Sequence, residues 1–367
     1  MNKKSQMFDH IIKNFTQPIN KYMNDSTITE IMINSPDQIF IEKQGKLIKT
    51  DAKFESETCL MSMVNSISQF TNRRINKEKP YLAARLPNGD RIQIILPPCS
   101  KKGITISIRK FSKKLISVEK LVENNSITQD AIDFIKTCIQ MHKNTIVSGG
   151  TSSGKTTILN IISKFINDSE RIVVIEDSSE LQIQNPNTVF LEAQQEDRRG
   201  KGLVTIRTLL ACSLRLRPDF IIIGEVRKGE ALDLLQALNT GHCGFGTIHS
   251  NSSIDTLSRL ETLSLFSDVG LSLKALRSQI VSTINIIIHA SKFNDGTRKI
   301  TQISEVLPLT QNGEYKIKDI FRFQFKGRDS NGRIIGSLEP TGYKPTFYND
   351  IEIFGLEKDN IFNNKKL

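Results

Sequence analysis

Apolar positions along this chain change period, and the change divides it. Up to about residue 110, short apolar runs alternate with turn signals. Residues 29–45 read as strand, an Asn-Ser-Pro-Asp turn, then a second strand. Residues 60–70 carry helical spacing. Residues 85–96 form a turn feeding a strand, and 103–109 form another strand. This predicts an α+β domain over residues 1–110. Residues 111–127 are polar and aperiodic, which predicts a linker. Thr128 is placed to cap a helix over 129–142, with Ile132, Ile135 and Ile139 on one face. Strands then alternate with helices: strands at 145–148, 172–176 and 220–224, and helices at 155–166, 205–216 and 229–238. Such alternation predicts an α/β domain over 128–310, a largely parallel sheet with helices on both faces. From 311 to 367 the pattern becomes short strand-like runs broken by Gly313, Gly327, Gly332, Gly336 and Gly342, read as an appended region.

Composition narrows the partners. The 367 residues carry 50 Lys and Arg against 39 Asp and Glu, a net charge of +11. That balance favours anionic partners: nucleotides, nucleic acid or an acidic membrane surface. Five cysteines show no zinc-like spacing and are expected as reduced thiols in a cytosolic protein. No secretory signal is visible in the first ten residues, and no 18-residue apolar window occurs, so any membrane role is expected to be peripheral.

The densest chemistry lies between the apolar runs at 145–147 and 158–162. Residues Gly149, Gly150, Thr151, Ser152, Ser153, Gly154, Lys155, Thr156 and Thr157 contain the full phosphate-loop pattern, Gly149 followed by Gly154-Lys-Thr. Glycines let backbone N–H groups approach phosphate oxygens closely. The helix that follows presents its positive end at the same point. Lys155 is expected to reach the β- and γ-phosphates of ATP, and the Thr156 hydroxyl to coordinate Mg²⁺. Two other apolar runs end in acid: 220–224 at Glu225, and 172–175 at Glu176 with Asp177 and Glu180 following. A parallel sheet delivers such residues to its ligand edge. His242 and His249, seven apart in a glycine-rich stretch, lack the third ligand that catalytic zinc usually has. They are expected instead to sense the γ-phosphate, on a loop that glycines let move.

Together, Gly149–Thr157, the acidic box from Glu176 to Leu181, the stretch from Leu216 to Arg227 and the histidine box resemble the secretion ATPase superfamily. Its members drive type II and type IV secretion, type IV and Tad pilus assembly, and conjugative transfer. Residues 29–37, 86–91 and 107–111 look like the family's N-terminal domain. The tail, with Asp319–Phe323 and Thr341–Phe347, looks most like the Tad-pilus and conjugative branch. The resemblance implies a RecA-like domain preceded by a smaller α+β domain. It implies Glu225 as the Walker B glutamate and Glu176 as a carboxylate that polarises water or holds Mg²⁺ through water. It implies His242 and His249 as the histidine box, and Arg91 and Arg109 as arginines projecting toward nucleotide phosphates. A planar guanidinium suits that task because it bridges two phosphate oxygens. The family further implies a homohexamer at the cytoplasmic face of the bacterial inner membrane, working with secretion or pilus platform proteins and reading no nucleic-acid sequence. Opening and closing of the two domains about the linker would transmit force. Two departures stand out. Ser152 replaces a usual glycine, at a cost of about 1 kcal/mol if its φ is positive. The histidine box is one residue shorter than in Tad or conjugative relatives, closer to the twitching-pilus and type II spacing.

Two other classes share parts of this pattern. A RecA-like nucleic-acid motor would combine phosphate loop, buried acid and positive charge, yet no stretch interleaves aromatic and basic residues for stacking on single strands. A nucleotide-binding scaffold that does not hydrolyse would not need both Glu225 and Glu176.

Overall fold

The computed structural model describes residues 16–43, 45–111, 115–267 and 269–356. The chain forms two compact units. Unit 1 comprises residues 1–114 together with Gln194–Leu203, and unit 2 the remainder. The grouping of Gln194–Leu203 with unit 1 has no counterpart in the predicted division.

Among the described residues, unit 1 is built on a six-stranded antiparallel sheet packed against the helix Glu57–Phe70. Its strands are β1 (Ile28–Ser35), β2 (Gln38–Lys43), β3 (Lys46–Lys49), β4 (Tyr81–Arg85), β5 (Arg91–Ile95) and β6 (Thr105–Arg109), in the order β3-β2-β1-β6-β5-β4. Side chains alternate across a strand, so Ile31, Ile33, Ile92, Ile94, Ile106 and Ile108 share the buried face. They pack on Leu60, Met63, Val64 and Ile67 of helix Glu57–Phe70. Ser56 starts that helix by accepting from the Cys59 N–H at 3.2 Å.

Unit 2 holds a nine-stranded sheet of β7 (Thr145–Gly149), β8 (Ile172–Glu176), β9 (Thr188–Glu192), β10 (Phe220–Val226), β11 (Cys243–Ile248), β12 (Ile286–Lys292), β13 (Arg298–Leu307), β14 (Lys316–Arg328) and β15 (Ile334–Pro340). Its order is β15-β14-β13-β12-β7-β11-β10-β8-β9. From β12 to β9 every pairing is parallel, and from β12 to β15 every pairing is antiparallel. The central strands are buried on both faces, as their continuous apolar runs require. Val147, Val174, Ile222, Phe245 and Ile288 face a cluster with Phe134, Ile135, Leu159 and Ile162. Ile146, Val173, Ile175, Ile221, Ile223 and Ile287 face another with Leu234, Leu235, Leu257, Leu260 and Ile280.

Four expectations need correction. The predicted linker contains a short helix, Val118–Glu123, started by Ser117 accepting from the Lys120 N–H; its residues 112–114 lie outside the described residues. Thr128 does stand at a helix start, but its hydroxyl donates to the Leu338 carbonyl at 3.1 Å and makes no cap bond. The region from 311 does not stand apart, because β14 and β15 continue the main sheet; residues 357–367 lie outside the described residues. The glycine-rich stretch after His242 is not a loop but β11, fully buried between β7 and β10. Gly244 is there for closeness: a Cβ on it would stand 2.5 Å from Leu238 Cδ2 and 2.6 Å from the Ile221 carbonyl oxygen.

Candidate functional site

Strands β7, β8, β10 and β11 run parallel, so their C-terminal ends share one edge of the sheet. That edge collects Gly149, Glu176, Glu225 and His249 from four separate parts of the chain.

The chain leaves β7 at Gly149 and enters helix Lys155–Ile162. Gly149 has φ +149°, and a Cβ there would stand 2.2 Å from the Ala290 carbonyl oxygen, so only glycine fits. Gly154, at φ +99°, turns the loop into the helix. Ser152 adopts φ +58°, the left-handed conformation that costs a serine about 1 kcal/mol. Thr151 is exposed, Gly150 and Thr157 are half-buried, and the hydroxyl of Ser153 is buried without a hydrogen-bond partner. The Lys155 ammonium donates to the carbonyls of Gly149 at 2.9 Å and Gly150 at 2.8 Å, which arches it across the loop.

The two carboxylates of the acidic box do different things. Glu176 is buried and accepts from the backbone N–H groups of Glu180 at 2.8 Å and Leu181 at 3.1 Å. Its carboxylate thus folds the 177–181 loop around itself. Gly224 makes room for it, since a Cβ there would come within 2.8 Å of Glu176 Cγ. Asn160 pins the same loop by accepting from the Gln182 N–H at 2.8 Å. As a result Glu180 stands beside the phosphate loop and accepts from the Thr156 hydroxyl at 3.3 Å. Glu180 is therefore the acidic-box carboxylate next to the expected Mg²⁺ ligand, which the acid-terminated strand pattern did not single out.

Glu225 lies near the end of β10 and accepts from Arg227 Nε at 2.8 Å; Arg227 Nη1 is 3.8 Å from Asp177. Burial opposes the charge on Arg227, yet the carboxylates of Glu225, Asp177 and Glu180 hold its pKa above the ordinary value. The Thr247 hydroxyl donates to the Gly224 carbonyl at 2.6 Å and fixes β11 against the residue before Glu225.

The two histidines are not brought together. His249 lies exposed just past the end of β11, on the shared edge. His242 precedes the same strand at the opposite edge, roughly 20 Å away at about 3.3 Å per residue. Its Nδ1 is 3.1 Å from the Ala237 carbonyl, where helix Glu230–Asn239 ends. The six residues of β11 separate them, so a joint role on one phosphate within one chain does not hold. A third histidine, unnoticed in the sequence, also lies beside the loop. His289 of β12 is buried, and its Nδ1 lies 2.9 Å from the Ser148 hydroxyl, one residue before Gly149. Burial pushes its pKa below the ordinary value, a shift that Asp255 opposes and Lys155 reinforces.

Arg91 and Arg109 belong to unit 1 and face each other across β5 and β6. Arg85 pairs with Arg91 across β4 and β5 in turn. Three arginines thus stand in one cross-strand row, on the face away from the core.

The donor set suits a magnesium nucleotide. The loop provides an ammonium, a helix start and a cradle that a Cβ would fill, and the Thr156 hydroxyl beside Glu180 provides hard oxygen ligands of the kind Mg²⁺ takes. Among the described residues no helix is long and apolar enough to cross a membrane.

Known proteins match closely enough to compare. The family described as "Type II/IV secretion system protein" matches residues 13–311. The chain is 31% identical over 326 residues to the type IV secretion system protein VirB11 of Bartonella henselae, covering 78% of this chain and 90% of that protein. It is 33% identical over 281 residues to the conjugal transfer protein TrbB of Rhizobium radiobacter, covering 75% and 83%. Among solved structures, the Legionella pneumophila ATPase DotB superposes with a TM-score of 0.55 at 20% identity, covering 79% of this chain and 80% of that one, a likeness of fold.

Proposed function

Since the chain belongs to the type II/type IV secretion ATPase superfamily, we propose that it hydrolyses ATP with Mg²⁺ to power type IV secretion or conjugative transfer. The observation that carries this reading is the shared sheet edge. Lys155, Thr156, Glu180 and Glu225 reach it from β7, β8 and β10, three parallel strands of one sheet that are separate in the chain.

In this reading the amides of residues 150–155 and the Lys155 ammonium bind the β- and γ-phosphates, replacing the carbonyls that Lys155 now contacts. Thr156 and Glu180 would hold Mg²⁺, which when bound would neutralise charge on the phosphate oxygens. Glu225 orients the attacking water, and Arg227 positions the Glu225 carboxylate. Glu176 acts on the loop that carries Glu180. His249 stands at the γ-phosphate side of the edge; His242 is assigned no part in the chemistry. The Arg91–Arg109 pair is read as an anion-binding end of unit 1. The protein works as a homohexamer at the cytoplasmic face of the inner membrane, beside secretion platform proteins. The similarity to VirB11 and TrbB favours type IV secretion and conjugation over Tad pilus assembly.

Steady-state phosphate release tests the enzyme claim: Lys155→Ala and Glu225→Gln should each lose nearly all activity. Wild-type rates in both variants would refute it. Light scattering with ATP tests the hexamer, and a strict monomer at micromolar concentration would exclude it.

A further inference from the structure

The hairpin of β12 and β13 lies directly behind the phosphate loop. His289 pairs with Ser148 and Ala290 with Gly149 across the sheet, and the residue opening β13 reaches the loop itself. Arg298 Nε donates to the Ser152 carbonyl at 2.7 Å, and its Cδ lies 3.8 Å from where a Cβ on Gly154 would stand. Ser152 is the loop's non-glycine residue in the left-handed region. A charged donor on its carbonyl favours that conformation over relaxed alternatives.

The same residue is also held from the linker side. The Ser126 hydroxyl donates to the Arg298 carbonyl at 2.8 Å, and the Ile300 N–H donates to the Ser126 carbonyl at 2.8 Å. The next residue, Lys299, donates from Nζ to the Asn125 carbonyl at 3.0 Å. Asn125 has φ +51°, so it too is a left-handed, non-glycine residue. Adjacent strand residues point to opposite faces. One strand start therefore grips the phosphate loop with Arg298 and the end of the linker helix with Lys299.

We propose that Arg298 is a positioning residue that couples the phosphate loop to the linker, holding Ser152 in its nucleotide-binding conformation and passing changes there to residues 118–126. The proposal deepens the nucleotide-binding reading above and rests on it. A surface arginine that met the loop by accident would bond wherever its length allowed. Here the bond falls on the strained residue, and the arginine's own carbonyl is held by the segment that leads toward unit 1. Coupling of this kind needs a continuous set of contacts with two arrangements, and the chain Ser152, Arg298, Ser126 supplies the contacts.

The test uses the full chain with ADP as probe. Arg298→Ala should raise the ADP Kd about tenfold, the scale of one lost hydrogen bond to a charged donor. In a Ser152→Gly background the same change should cost no more than about threefold, because glycine holds a positive φ without help. Hydrogen exchange at residues 118–126 should slow when wild type binds ADP and should not respond in Arg298→Ala. A merely structural role would lower the melting temperature without nucleotide and leave the two penalties additive. If Arg298→Ala does not fold, Arg298→Lys carries the test: it keeps the charge and the stem over Gly154 but lacks Nε, so it should lose the linker response as well. Unchanged ADP affinity in the variant, an equal penalty in both backgrounds, or a linker response that persists would each overturn the proposal. Failure of wild type to bind ADP would instead sink the functional reading.

Discussion

Replacing Glu176 and Glu180 one at a time separates two carboxylates that the sequence presents as one acidic box. Glu176 is 4% exposed and takes two backbone N–H donors into its carboxylate. Oε1 accepts from both N–H groups and Oε2 also stands 3.3 Å from the Leu181 N–H, so Glu176→Gln removes the charge and sets an NH₂ group against the Leu181 N–H. Losing one charge-assisted bond and leaving a buried amide poorly paired costs about 1.5–3 kcal/mol. For a domain of this size, that corresponds to a fall in melting temperature of roughly 3–10 °C. The 177–181 loop should loosen with it and carry Glu180 away from Thr156, so phosphate release should fall as well. Glu180→Gln should behave differently. The bond it accepts from Thr156 is long, at 3.3 Å, and half-buried, so the melting temperature should move by less than about 2 °C, while activity falls about a hundredfold. Differential scanning calorimetry and steady-state phosphate release on the two variants decide the matter. A Glu176→Gln protein with wild-type stability and no activity, beside a fully active Glu180→Gln, would reverse the assignment made here.

Further outcomes follow from the packing. Gly244→Ala should destabilise unit 2 by about 1–3 kcal/mol through overpacking against Leu238 and Ile221, with nucleotide affinity little changed; denaturant unfolding and nucleotide titration would show it, and lost affinity at full stability would favour a moving hinge. His289 has a folded pKa below its unfolded value, so the unfolded chain takes up a proton first as pH falls. Stability should therefore be complete above about pH 6.5 and decline below it by at most about 1.4 kcal/mol per pH unit, and His289→Gln should flatten that decline in denaturant midpoints. Glu305 is buried and accepts from the Tyr343 hydroxyl at 2.8 Å and the Thr346 N–H at 3.0 Å, and burial with this carboxylate pushes Tyr343 up to about 12. Glu305→Ala should cost about 2–4 kcal/mol and expose the chain beyond residue 340 to limited proteolysis.

What could be read before folding follows from signal strength. β8 and β10 open on unbroken four-residue apolar runs, and the phosphate loop sits between a short β-branched stretch and a helix rich in apolar residues, so their order and the lysine's place were legible. β11 was not, because two glycines and a cysteine dilute the strand signal; those glycines answer to the crowding around them, which no local pattern records. Spacing along the chain suggested that His242 and His249 act together, whereas an extended strand turns seven residues into the whole depth of the sheet. The acidic box announced carboxylates but not which one folds back onto its own amides. Arg298 left no trace at all, since its partner lies 146 residues away in the chain.

The sheet runs on past the part of the chain that the family match covers. The match ends at residue 311, while β14 pairs with β13 over Gln302–Leu307 and β15 in turn covers β14. Cutting the chain at that limit would strip the outer strands and leave β13 as a bare rim of unmet N–H and C=O groups, and its buried Ile303 would lose the strand that pairs with it at Phe321. Such a fragment would keep every nucleotide-binding residue and still be expected to stick to its own copies, so β14 and β15 are a seal against self-association as much as an extension.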